Sequence, residues 1–155
     1  MPNTAVYLAQ ETHVAVLEYP VSFVGGITTA GFSMKNYSHV SIIVAFGVEV
    51  NAGSITVEEM TAQGGGGTNT PISFDVYKAE SADTDVLGVR VNGSSVTKST
   101  NNDVFYVIEI DSTQLDAGYS WLRVKCSSAG AQLGCIVAIL SGARLEGDQS
   151  PTVFA

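Results

Sequence analysis

Three apolar runs dominate the last third of the chain, Asp103–Asp148: Val104–Ile110, Trp121–Cys126 and Leu133–Leu140. Short, turn-rich joints separate them. Each run is too short for a comfortable helix and rich in Val, Ile and aromatic residues, so each reads as a strand. Three strands in succession predict an antiparallel meander, with the last strand buried on both faces.

The rest of the chain continues in the same style. His39–Gly47 reads as a strong strand, with Val40, Ile42, Val44 and Phe46 on one face and Ser41, Ile43 and Ala45 on the other. Both faces are apolar or small, which predicts a central position. Asn51-Ala52-Gly53 reads as a turn, and Ser54–Thr61 as the returning strand with Ile55 and Val57 inward and Thr56 and Glu58 outward. The glycine run Gly64–Gly67 reads as a flexible connection. Pro71–Ala79 alternates cleanly, with Ile72, Phe74 and Val76 on its apolar face. Asn92-Gly93, between Val86–Val91 and Ser94–Lys98, is the strongest short hairpin signal available.

About nine short strands, with turn signals every 8–12 residues or so, predict an all-β fold: an antiparallel, jelly-roll-like β-sandwich of about eight to nine strands. The expected organisation is an N-terminal arm over residues 1–20, a sandwich domain over 21–148 and a C-terminal tail over 149–155.

Charge narrows the partners. The chain of 155 residues carries 15 acidic against seven basic side chains, a net charge of −8, and the basic residues are dispersed. That composition argues against a nucleic-acid binder. No stretch approaches the roughly 20 apolar residues of a membrane helix, and MPNTAVYLAQETHVAV has no basic n-region. The expectation is a protein made in a cytosol, where Cys126 and Cys135 would be reduced core thiols.

The search for chemistry finds no assembled site. Nucleophilic hydrolysis needs a serine or cysteine with a base and an orienting acid, and no G-x-S-x-G elbow is present. His13 and His39 stand in unrelated contexts. Glu58 and Glu59 are adjacent and point to opposite faces of a strand. Glu109 and Asp111 share a face, and would matter only if a histidine met them in a cleft. The two cysteines lack the histidine pair of a zinc site. The reading is therefore non-enzymatic, with no catalytic residue, metal or cofactor. The face with Tyr119, Trp121 and Arg123 is the candidate interface, since Trp and Arg commonly anchor protein contacts.

The phrases KNYSHVSIIVAFG (Lys35–Gly47), YVIEID (Tyr106–Asp111), Leu115-Asp116, WLRV (Trp121–Val124) and AILSGAR (Ala138–Arg144) resemble those of small tailed-bacteriophage head decoration, or cement, proteins. The resemblance runs over about residues 33–147 and rests on diffuse strand patterns. It implies a β-rich virion protein on the capsid exterior, bound to the major capsid protein and often trimeric, with no catalytic residues to carry over. Several modest contacts per oligomer would give avidity. The alternative is a carbohydrate- or receptor-binding sandwich of a virion fibre, which would place Trp121 in an exposed groove.

Overall fold

The structure, a computed structural model, describes residues 8–49, 52–81, 84–128 and 130–143. After a single helical turn, α1 (Leu8–Glu11), the chain runs through β1 (His13–Ser22), β2 (Ile27–Thr28), β3 (Phe32–Ser33), β4 (Tyr37–Glu49), β5 (Ser54–Met60) and β6 (Asn69–Pro71). It continues through β7 (Phe74–Ala79), β8 (Val91–Gly93), β9 (Val96–Thr97) and β10 (Val104–Asp111). A short 3-10 turn at Ser112–Gln114 leads to β11 (Trp121–Cys126) and β12 (Gln132–Ala143). These are twelve strands among the described residues, more than the sequence suggests, because several are two- or three-residue pieces.

The strands form two antiparallel sheets that face each other as a sandwich. Sheet A has the order β1-β12-β4-β10-β7-β8, and sheet B the order β2-β11-β5-β6, with β3 also on β11 and β9 also on β5. The first strand lies beside the last, and β2 and β3 lie beside β11. This nesting of early strands on late ones is jelly-roll wrapping. Alternation supplies the core: Val40, Ile42, Val44 and Phe46 of β4, with Phe74 and Tyr106 of the same sheet and Val57 and Leu122 of the opposite one, are all within 1% of complete burial. Each such side chain contributes about 1.5–3 kcal/mol of transfer free energy. Phe46 meets Phe23 and Tyr106 edge-on, at centroid distances of 5.7 and 6.2 Å.

Five expectations change. The C-terminal runs are not a meander: β10 and β12 belong to sheet A, and β11 between them to sheet B. Likewise β5 does not return along β4 but crosses to the opposite sheet. A strand with one apolar face satisfies that face equally well in either layer, so parity cannot say which strand is its neighbour.

Asn92-Gly93 is not a hairpin turn either. Both residues lie in β8, with Asn92 opposite Asp75 and Gly93 opposite Phe74, and the next strand, β9, pairs with β5 in the other sheet. The Asn92 amide donates to the Phe74 carbonyl at 3.3 Å and to Asp75 Oδ1 at 2.9 Å, which fixes it as a strand residue. Gly93 has none of the positive φ that a type I′ turn requires.

The N-terminal segment is more than an arm. Residues 13–20 lie in β1, the edge strand hydrogen-bonded to β12, and Ala15 and Leu17 enter the core. Residues 1–7 and the tail at 149–155 lie outside the described residues, as do Asn51 and Arg144. The glycine run is a compact turn: Gly65 has φ +68°, its N–H donates to Ala62 O at 3.2 Å, and Asn69 Nδ2 donates to Gly65 O at 3.1 Å. Cys126 is buried in sheet B and Cys135 half-buried in sheet A, and no disulfide joins them.

Candidate functional site

The two outer faces of the sandwich differ in chemistry. Sheet B presents the polar face. On it Glu58, opposite Arg123 in register, sits at the centre of an ion-pair cluster. Arg123 Nε and Nη2 donate to Glu58 Oε2 at 2.7 and 2.6 Å, and Lys125 Nζ donates to Oε1 at 3.1 Å. Only 11% of the Glu58 side chain and 20% of Arg123 remain exposed. Burial pushes the Glu58 carboxyl upward, but the hydrogen bonds and charges of Arg123 and Lys125 outweigh it and hold the pKa below its ordinary 4.5. Glu58 is thus outward, as its parity predicts, and also nearly buried, which parity alone does not reveal.

Arg123 is consequently a committed ion-pair partner rather than a free anchor. Its Nη1 lies against Gly65, where a Cβ would come within 2.7 Å, so the glycine turn closes over the guanidinium. Trp121 is half-buried beside Met60 and Ser33 in register. Tyr119 precedes the strand, and its N–H donates to Asp116 O at 3.0 Å. Trp121 and Arg123 share the outer face of β11. Tyr119, half-buried, belongs to the loop before it.

Glu59 points the other way, into the sandwich, with 1% exposure. It accepts the Asp116 N–H at 2.8 Å. Burial raises its pKa above 4.5, opposed by that backbone hydrogen bond and assisted by the Asp116 carboxylate. Its inward position keeps the two adjacent glutamates apart. Lys98, one of the dispersed basic residues, is also interior: its Nζ donates to Gln132 Oε1 at 2.7 Å and lies 4.7 Å from the Phe46 ring centroid.

On the outer face of sheet A a histidine does meet the two same-face acids, Glu109 and Asp111. His39 of β4 is opposite Asp111 of β10, and Ser41 opposite Glu109. His39 Nδ1 bonds Asp111 Oδ1 at 2.8 Å and Nε2 bonds Glu109 Oε2 at 2.7 Å. The Ser41 hydroxyl donates to the same Glu109 oxygen at 2.6 Å. Partial burial lowers the imidazole pKa, but the hydrogen bonds and charges of Asp111 and Glu109 outweigh it and hold the pKa above 6.5. Both ring nitrogens face carboxylate oxygens, and the Ser41 hydroxyl donates to Glu109 and not to the imidazole. The group has the composition of a hydrolytic triad and the wiring of a structural ion-pair cluster. A signal existed, two same-face acids and a strand-opening histidine, but only the β4–β10 register unites them. Among the described residues, no group of three or more His, Cys, Asp or Glu side chains is arranged to hold a metal ion.

Beyond that cluster the middle of the outer face of sheet A is apolar, with Asp75 and Arg90 at one margin and Asp103 beside Gly47 at the far end. One row crosses five strands in register: Tyr77, Val107, Ile43, Val137 and Val16. On one side of it lie Phe105, Ala45 and Cys135, and on the other Ile139 and Val14. Antiparallel sheets with one solvated face normally alternate apolar-in and polar-out. Here the solvent-facing positions carry Val, Ile, Phe and Tyr. Where β1 bulges away from β12, between Val16 and Val21, an apolar groove of about 370 Å³ opens, lined by Pro20, Val21, Ala45, Leu133, Gly134 and Cys135.

Two grooves flank sheet B. One, of about 400 Å³, is lined by glycines and by Thr28, Ser54, Thr56 and Lys125. The other, of about 320 Å³, is lined by Thr29, Gln63, Gly64 and Arg123. Neither groove includes an aromatic ring in its lining.

No family model matches the chain, and no curated protein matches it. Among solved structures, the SPBc2 prophage-derived protein YomS is similar in fold, with a TM-score of 0.54 over 84% of this chain and 94% of that one, at 12% sequence identity. At that identity the likeness concerns the fold.

Proposed function

We propose that this chain is a non-enzymatic structural protein of a bacteriophage virion, binding the outside of the capsid as a homo-oligomer and stabilising the shell through multivalent contacts with the major capsid protein. The observation that carries this reading is the apolar outer face of sheet A. Among the described residues no third layer covers that face, so it is suited to burial in an assembly. The fold likeness to a prophage-derived protein and the resemblance of the strand phrases to decoration proteins point to the same setting. In this reading the His39–Glu109–Asp111 cluster adds stability rather than catalysis, because the Ser41 hydroxyl is bonded to Glu109 and not to the imidazole.

In this reading the polar face of sheet B, with Trp121 and Tyr119, meets the capsid. Several copies joined together present several such faces, and avidity multiplies modest contacts. Binding only the assembled lattice stabilises that lattice by mass action. The fibre-type, sugar-binding alternative would need an aromatic platform, and the grooves of sheet B lack one.

The test is co-sedimentation with purified, expanded capsids of a phage carrying this gene, followed by imaging of the decorated particles. Saturable density on the outer lattice, weakened by Trp121→Ala, supports the proposal. Absence from the lattice, together with Trp121-dependent retention on a glycan array, overturns it.

A further inference from the structure

The proposal above turns sheet B toward the capsid, and the following inference deepens that reading and rests on it. We infer that the outer face of sheet B is a carboxylate-binding surface whose partner presents an extended acidic segment, with Asp or Glu at alternate positions.

Sign is the first argument. Register decides which side chains share this face. Among the described residues the charged ones are Arg123 and Lys125 of β11 and Glu58 of β5. Two cations against one carboxylate leave the face net positive on a chain of net charge −8. The outer face of sheet A has the opposite balance, with Asp75, Asp103, Glu109 and Asp111 against His39 and Arg90. A molecule divided in this way turns sheet B, and not sheet A, toward an acidic surface.

Uncommitted donors are the second. Glu58 holds Arg123 through Nε and Nη2 and so fixes the plane of the guanidinium. Among the described residues Nη1 has no acceptor. Lys125 spends one N–H on Glu58, at 3.1 Å, and its side chain is 42% exposed, so the rest of the ammonium is open to a ligand. Glu58 itself is 11% exposed and sits beneath the two cations it orients.

Shape is the third. Arg123 lines the groove of about 320 Å³, with Thr29, Gly31 and Gly64, and Lys125 lines the one of about 400 Å³, with Thr28, Ser54 and Thr56. Neither lining includes an Asp or Glu side chain. The two cations stand at alternate positions of one strand, about 7 Å apart. Alternate side chains of an extended partner have the same spacing, so one carboxylate meets each groove. A polyphosphate chain calls for a longer row of cations than this face supplies.

The experiment has two arms, both on the full chain. In the first, amide shifts are followed by NMR during titration with a blocked peptide of sequence TETET, its TQTQT counterpart and inorganic phosphate. The expected result is saturable shifts at Gly31, Gly64 and Thr56 with TETET, and binding at least about tenfold weaker for TQTQT and for phosphate. Lys125→Glu should weaken TETET binding at least about tenfold, because it replaces an attraction by a repulsion, and Lys78→Glu, away from sheet B, should leave it unchanged. Thermal unfolding checks that each variant is folded, and Lys125→Gln, with a loss of at least about threefold, serves if the reversal does not fold. An equal or absent response to the two peptides, tighter binding of phosphate, or indifference to Lys125 overturns the inference. In the second arm the same variants are co-sedimented with expanded capsids at low and high salt, where the proposed contact weakens as salt rises. Capsid binding that ignores both salt and Lys125→Glu would sink this surface and leave the virion role standing. Lys125-dependent binding of TETET by a protein that ignores capsids would do the reverse.

Discussion

Replacing Glu58 by Gln keeps the size and shape of the side chain and removes its charge from between Arg123 and Lys125. Exposed ion pairs contribute about 0.2–1 kcal/mol, and breaking a fully buried one costs about 3–5 kcal/mol. The Glu58–Arg123 pair lies between these limits, with two donors of one guanidinium on one oxygen at 2.7 and 2.6 Å and side chains mostly covered. Lys125 is 42% exposed and adds little. The expected loss at neutral pH is about 2 kcal/mol, or about 6 °C in Tm for a chain of this length. The pH dependence gives the sharper reading. The folded pKa of Glu58 lies below its unfolded 4.5, so the stabilisation is present above pH 4.5 and is lost as pH falls through the folded value. Scanning calorimetry of both proteins should show the gap at about pH 7 and its closure by about pH 2–3. High salt should change it little, because the pair is half-shielded from solvent. A gap under about 1.5 °C at neutral pH, or one that persists after acidification, would refute the assignment of Glu58 as the electrostatic centre of sheet B.

Two further substitutions probe the other departures from expectation. For His39 the sign reverses: its folded pKa lies above 6.5, so its contribution is full below pH 6.5 and disappears as pH rises through the folded value. His39→Asn should therefore lower the urea midpoint at about pH 6 more than at about pH 9, and an equal loss at both would mean that no imidazolium bridges Glu109 and Asp111. Gly93→Ala tests the strand that replaced the predicted hairpin. Gly93 lacks positive φ, and an added Cβ meets nothing nearer than Ser95 O at 3.6 Å, so the change should stay within about 0.5 kcal/mol. A loss above about 1 kcal/mol would indicate a turn conformation at Gly93.

Side-chain parity was legible in the sequence because it needs only the pleat. Val40, Ile42, Val44 and Phe46 face inward as their spacing dictates, and so do Ile55 and Val57. Pairing was not legible, because β5 or β11 buries the same face in either sheet, and choosing between them takes the packing of the whole sandwich. Everything that depends on register was hidden for the same reason. His39 reaches Glu109 and Asp111 only because β4 lies beside β10, and Arg123 closes on Glu58 only because β11 lies beside β5. One reading was correct in its observation and incomplete in its consequence. Two apolar faces on β4 do mark a central strand, and β4 is central in sheet A. Burial on both faces, however, takes three layers, and the described residues build two. Sheet B covers the face carrying Ile42, while nothing among the described residues fully covers the one carrying Ile43. The same excess recurs at Val107 of β10 and Val137 of β12, in register across the sheet. Three central strands with the same surplus of apolar side chains on the same face are a property of the sheet and not of any one strand.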